Sequence, residues 1–183
     1  MLSYEAMEFA SPFQTGMSPL DERNTTTMAT KAEAIGELEQ KYGAFRAKIA
    51  DLPDAAYYER FLGEWGMSQL LAHMAGWFKE MTFALQRVGR GERPTPEGVD
   101  FSNADAWNAK FSATATPGKY GLATFDAYFK RYAEAAKALA DDRYGVDAAS
   151  SKPRIGNRLL QGAGIHHFEE HGAEVDAWLA TRK

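Results

Sequence analysis

Ser68-Gln69-Leu70-Leu71-Ala72-His73-Met74-Ala75-Gly76-Trp77-Phe78-Lys79-Glu80-Met81-Thr82-Phe83-Ala84-Leu85-Gln86-Arg87-Val88 is the stretch on which the fold turns. Leu70, Leu71, Met74, Trp77, Phe78, Met81, Leu85 and Val88 give it one broad apolar face at helical spacing, and Gly89 and Gly91 close it. A helix of this length with one apolar face needs partners to cover that face. The sequence on either side supplies them.

Upstream, Thr30-Lys31-Ala32-Glu33 has the form of a capping box. Ile35, Leu38, Tyr42, Phe45, Ile49 and Leu52 then recur at gaps of three and four, a second helix face ended by Pro53. Downstream, a loop over 92–101 leads to an expected short helix over 102–111, with Ser102 capping and Asp105 in its first turn. A third long helix is expected over 122–139 through Phe125, Phe129, Tyr132, Ala136 and Leu139, and a fourth over 157–180 after a polar loop containing Pro153. Nothing alternates convincingly over five residues, so strands are not expected. Four long amphipathic helices joined by loops make an all-α four-helix bundle, with a short extra helix between the second and third.

The chain has 183 residues, enough for one domain with a full core. Residues 1–27 show no sustained period and read as a loose extension, so the bundle domain is expected over 28–183, with Met28 as its natural start. A net charge of −4 gives no general attraction for nucleic acid or anionic lipid. Without cysteine, thiolate metal sites and cysteine nucleophiles are excluded, so any metal must sit on histidine, carboxylate or amide groups. No stretch approaches the ~20 apolar residues of a membrane span. The first basic residue is Arg23, unlike the charged start of a secretory signal, so the expected location is cytoplasmic.

Three of the four histidines fall on helix seams that should face the core. On the fourth helix, Leu160, Gly164, His167, His171, Glu174 and Trp178 follow a 4-3-4-3-4 spacing; on the second, Gly66, Leu70, His73, Trp77, Glu80 and Ala84 keep the same rhythm. His167 and His171, four apart, put their Cβ atoms roughly 5–6 Å from one another on one face. That separation lets two imidazoles converge on one ion, and His73 on a facing helix completes a triangle. Three protein ligands leave a position open, the catalytic rather than the structural arrangement. The alternative is that these are core histidines hydrogen-bonded to Glu80, Glu174 or backbone. His166 lies about 100° around the helix from His167 and is given no role. The spacing His167-Phe168-Glu169-Glu170-His171 is not a zincin motif, which needs glutamate where Phe168 stands.

The segment 64–77, with Trp65, His73 and Trp77, resembles the W-s-x-x-d-l-l-a-H-l-x-x-W stretch of the DinB/YfiT-like superfamily. The segment 165–174 is similar to that family's H-x-x-x-H-x-x-Q stretch, and the resemblance covers about residues 28–179. It implies a four-helix bundle, commonly a homodimer, that binds zinc or nickel through His73, His167 and His171. It also implies thiol-dependent transferase or isomerase chemistry, with a low-molecular-weight thiol as cosubstrate. Glu174 stands where the family usually has glutamine, as a fourth ligand, an orienting partner for an imidazole, or a base. Gly98-Val99-Asp100-Phe101 with Asp105-Ala106-Trp107-Asn108 resembles the ClbS/DfsB-like branch, some of whose members act on reactive small molecules without metal.

Two functions follow as expectations. One is an enzyme in which a metal-activated water or thiolate acts on a small organic substrate, with Glu174 or Glu80 moving protons. The other is a protein that binds or detoxifies a reactive metabolite without metal. Trp77, Trp107, Trp178 and Tyr132 are either pocket or ordinary core. Gly76, Gly162, Gly164 and Gly172 point to close helix approach, or to backbone making room for a ligand, with plain packing the favoured reading. Arg87, Arg90 and Arg93 form a small basic cluster, solvated surface or a dock for an anionic substrate.

Overall fold

The structure, a computed structural model, describes residues 30–182. The expected extension over 1–27 and the start at Met28 lie outside the described residues. The bundle opens with α1 (Lys31–Ile49), where the Thr30 hydroxyl accepts from the Glu33 amide and the Glu33 carboxylate accepts from the Thr30 amide. It ends a turn earlier than the apolar spacing suggests. Leu52 is still buried, but Pro53 starts a 3₁₀ turn over Asp54–Tyr58. The Tyr57 hydroxyl from that turn donates to the Ile49 carbonyl at 3.0 Å, satisfying one open group of the helix end.

A small hairpin of β1 (Arg60–Leu62) and β2 (Trp65–Gly66) follows, antiparallel, with Arg60 opposite Gly66 and Leu62 opposite Trp65. This corrects the expectation of no strands. Strands of three and two residues are too short for an alternating pattern to register. The hairpin runs straight into α2 (Met67–Gly89), which packs against α3 (Ala104–Ser112) and along α4 (Tyr120–Ala138). The cap of α3 is Asn103, not Ser102: its side-chain oxygen accepts from the Ala106 amide at 3.1 Å. Ser102 instead donates both its amide and its hydroxyl to Asp100.

The fourth long helix is composite. It comprises α5 (Ile155–Leu160), a π-helical segment (Gln161–His166) and α6 (His167–Ala180). The sequence spacing predicts one uninterrupted α-helix there, so the π segment is a second correction. Phe168 of α6 is the hub of the core, its ring 5.5–5.8 Å from those of Phe45, Phe78 and Phe129. Tyr42 stacks on Phe129 at 3.7 Å and Phe78 on Tyr132 at 5.5 Å. This aromatic core fills the space between the four long helices and leaves the opposite flank of α2 and α6 for a polar site. Among the described residues no helix is long and apolar enough to cross a membrane.

Candidate metal centre

The seams of α2 and α6 meet where the sequence places their histidines. His73 Nε2 lies 2.7 Å from His167 Nε2 and 3.3 Å from His171 Nε2. The three potential ligand atoms all lie within 4.8 Å of one another. His73 and His171 are buried, whereas His167 is half-buried. The Trp65 ring, delivered by the hairpin, stands 5.1 Å from the His73 ring.

The outer nitrogens decide which face of each imidazole is free. His167 Nδ1–H donates to the Ala163 carbonyl at 3.3 Å, inside the π segment. His171 Nδ1–H donates to Glu174 Oε2 at 2.6 Å. Both pairings fix the tautomer that leaves an Nε2 lone pair pointing inward. His73 Nδ1 is buried with no described partner. Burial, and then the electrostatic effect of the neighbouring His171, push the His73 pKa down to about 3. The same causes, in the same order and with His73 added, hold His167 well below its ordinary value. These two imidazoles are therefore neutral at neutral pH.

A single proton on His73 Nε2 can serve one neighbouring lone pair at a time, not two. A divalent cation accepts all three. Two ligands each 2.0–2.1 Å from a tetrahedral ion lie roughly 3.3 Å apart, the separation of the His73 and His171 nitrogens. The donor set, three imidazole nitrogens within 4.8 Å of one another, is one that could hold a metal ion. Glu174 touches the far nitrogen of His171, the position from which a carboxylate orients a ligating imidazole. Glu80, two turns beyond His73, is half-buried and is not brought to the triad.

The triad opens on a cavity of about 1100 Å³. Of the aromatics singled out from the sequence, Trp77 lines it. Trp107 packs behind Phe101, Trp178 stacks on Phe61, and Tyr132 is buried with its hydroxyl donating to the Leu159 carbonyl. Trp65, Phe101, Gln69 and Asn108 complete the wall and had no periodic signal to mark them. Arg87 and Arg90 pair with Glu92, and Arg87 also donates to the Arg93 carbonyl, all away from the cavity. The charged groups on the lining are Asp100, Asp105, Glu170, Glu174 and Arg158, a negative balance that does not favour an anion.

No family model and no curated protein sequence matches the chain significantly. Solved structures do. The colibactin self-resistance protein ClbS, solved with double-stranded DNA, superposes with a TM-score of 0.68 at 14% identity, covering 81% of this chain and 94% of that one. DfsB, a sibling lethal factor precursor, superposes with a TM-score of 0.68 at 14% identity, over 85% and 98%. A mycothiol-dependent maleylpyruvate isomerase matches with a TM-score of 0.61 at 15% identity, over 80% of this chain and 61% of its own. The bundle thus shares its all-α, four-helix fold with ClbS and DfsB. Within that fold, its neighbours include ClbS and DfsB together with a thiol-dependent isomerase.

Proposed function

We propose that this protein is a metal-dependent enzyme acting on a small organic molecule, a thiol transferase, isomerase or hydrolase, with His73, His167 and His171 holding one zinc or nickel ion. The observation that carries this reading is the convergence of three Nε2 atoms at the wall of a large aromatic-lined cavity. Such an ion supplies Lewis acidity, delivering a bound nucleophile deprotonated at neutral pH. The chain's own residues do the rest. Glu174 accepts the His171 Nδ1 proton and keeps that imidazole's other nitrogen inward. The Ala163 carbonyl does the same for His167. Trp65, Trp77 and Phe101 exclude water and hold an apolar substrate.

A low-molecular-weight thiol as cosubstrate is supported by the fold shared with the mycothiol-dependent isomerase. A cytoplasmic homodimer without nucleic-acid partners belongs to the same reading. The neighbours ClbS and DfsB favour a second one, a protein that binds or detoxifies a reactive metabolite without metal. Elemental analysis of the purified full chain separates the two. About one zinc or nickel per chain, lost in His73→Ala/His167→Ala, is the expected result. A metal-free, folded protein in both cases would sink the metalloenzyme reading and leave the second.

A further inference from the structure

Gln69, His73, Trp77 and Met81 all line the cavity, a four-residue ladder along one flank of α2. Each step advances about 6 Å along the helix axis. The triad therefore has one polar neighbour a turn before it and one a turn after. The first is Gln69 itself. Its side-chain oxygen accepts from the Gly66 amide at 3.2 Å, the N-terminal lock of α2. The second is Asn108 of α3, whose side-chain oxygen accepts from the Trp77 indole N–H at 2.9 Å. In both amides the oxygen is committed to a donor that cannot itself accept, so the orientation of the amide is fixed. In both, the NH₂ group has no acceptor among the described residues. Both residues are half-buried, on the cavity wall rather than the open surface.

We infer that Gln69 and Asn108 are a pair of hydrogen-bond donors that read acceptor oxygens of the ligand on either side of the triad. The ligand class this selects is a flat, apolar or aromatic molecule carrying carbonyl groups. The ring packs on Trp65, Trp77 and Phe101, and the carbonyl oxygens take the two NH₂ groups. The inference rests on the cavity being the ligand site. It deepens that reading by assigning two specificity-determining residues that neither touch the metal ligands nor depend on the ion.

The test uses two uncharged probes of nearly equal shape, 2-acetonaphthone and 2-isopropenylnaphthalene, which differ by a carbonyl oxygen against a methylene. Binding to the full chain is read from tryptophan fluorescence, with metal content measured on the same preparations. The ketone should bind roughly three- to tenfold tighter than the alkene, the size of one net hydrogen bond, made to either amide in turn. Gln69→Glu and Asn108→Asp keep the internal acceptors for Gly66 and Trp77 and remove the free donors, each at the cost of one added negative charge. The ketone preference should shrink in each and vanish in the double variant, while alkene binding and thermal melting stay put. Gln69→Met, which adds no charge, should move the ratio the same way. Chelator-treated protein should retain the preference. Equal binding of the two probes to the wild type would overturn the inference, as would a preference undiminished in the folded variants. A preference that disappears with the metal would overturn it while leaving the metalloenzyme reading intact.

Discussion

Glu174 carries the local electrostatics of the site. Its carboxylate lies 2.6 Å from His171 Nδ1, three residues back on the same helix, so one turn of α6 supplies both the imidazole and the carboxylate that orients it. Glu174→Ala should weaken zinc or nickel binding by roughly 10- to 100-fold without removing it, the range for lost orienting carboxylates. Glu174→Gln, the residue usual in the family it resembles, should lose less, because the amide oxygen still accepts from Nδ1. Competition with a metallochromic chelator measures both; unchanged affinity in Glu174→Ala would rule the role out. The buried imidazoles also set a pH dependence for the metal-free protein. His73 takes a proton near pH 3 when folded and near its ordinary value of about 6.5 when unfolded. Above that value neither state is protonated there and stability is unaffected. Between the two values the unfolded state binds the extra proton, so stability falls as pH drops, by roughly 1 kcal/mol per pH unit. His167, shifted in the same direction, adds to the slope. The urea midpoint of chelator-treated protein should hold level above about pH 6.5 and decline from there to pH 5, and His73→Phe should flatten that decline.

At the scale of the element, the glycines of α2 and the composite fourth helix separate into two groups. A Cβ on Gly76 would lie 2.2 Å from Phe111 Cγ, and one on Gly164 would lie 2.7 Å from Leu38 Cδ1. These two allow α3 to seat on α2 and the π segment to seat on α1. At Gly162 a Cβ would meet nothing within 4 Å, and at Gly172 it would only touch Lys48 Nζ at 3.6 Å. Gly76→Ala should therefore destabilise by about 1–3 kcal/mol, the cost of overpacking. Gly172→Ala should stabilise by up to about 1 kcal/mol through helix propensity. Chemical denaturation of the pair gives opposite shifts if the packing is as described; two shifts of one sign would contradict it. The sequence reading grouped all four glycines as signs of close approach, because composition cannot tell a contact from open space. The same limit hid the π segment. Its extra residue sits before His167, so the four-residue gap to His171 that marked the site survives untouched. A single-residue deletion within 161–166 removes that extra residue, so the segment should close to plain α-helix while α5 and α6 keep the faces they turn to the core.

For the molecule as a whole, the bundle and the convergence of its three histidines were legible because burial imposes period. A seam facing a core must repeat at three and four, and His73, His167 and His171 obeyed that rule while being the wrong chemistry for a core. The cavity wall was not legible. Gln69 extends the His73, Trp77 and Met81 flank by one turn and Asn108 stands on α3, and a polar side chain at either place carries no periodic mark of a cavity. The charge balance acts at this scale too. ClbS was solved on a DNA duplex, and this chain shares its fold at 14% identity. A fold does not transmit a ligand; the charges on its surface must suit it. Here the chain carries 25 acidic against 21 basic side chains, and the cavity lining is acidic at Asp100, Asp105, Glu170 and Glu174 against Arg158. Duplex binding draws most of its affinity from neutralised phosphates, which release counterions and make it steeply salt-dependent. A net charge of −4 and a net negative cavity lining work against that term. Fluorescence anisotropy of a labelled duplex at low salt should accordingly show no binding by the full chain, and lowering the salt further should not induce it. Saturable, salt-sensitive binding would mean that basic side chains gather on a face apart from the cavity. The partner would then have to be sought among nucleic acids rather than small carbonyl compounds.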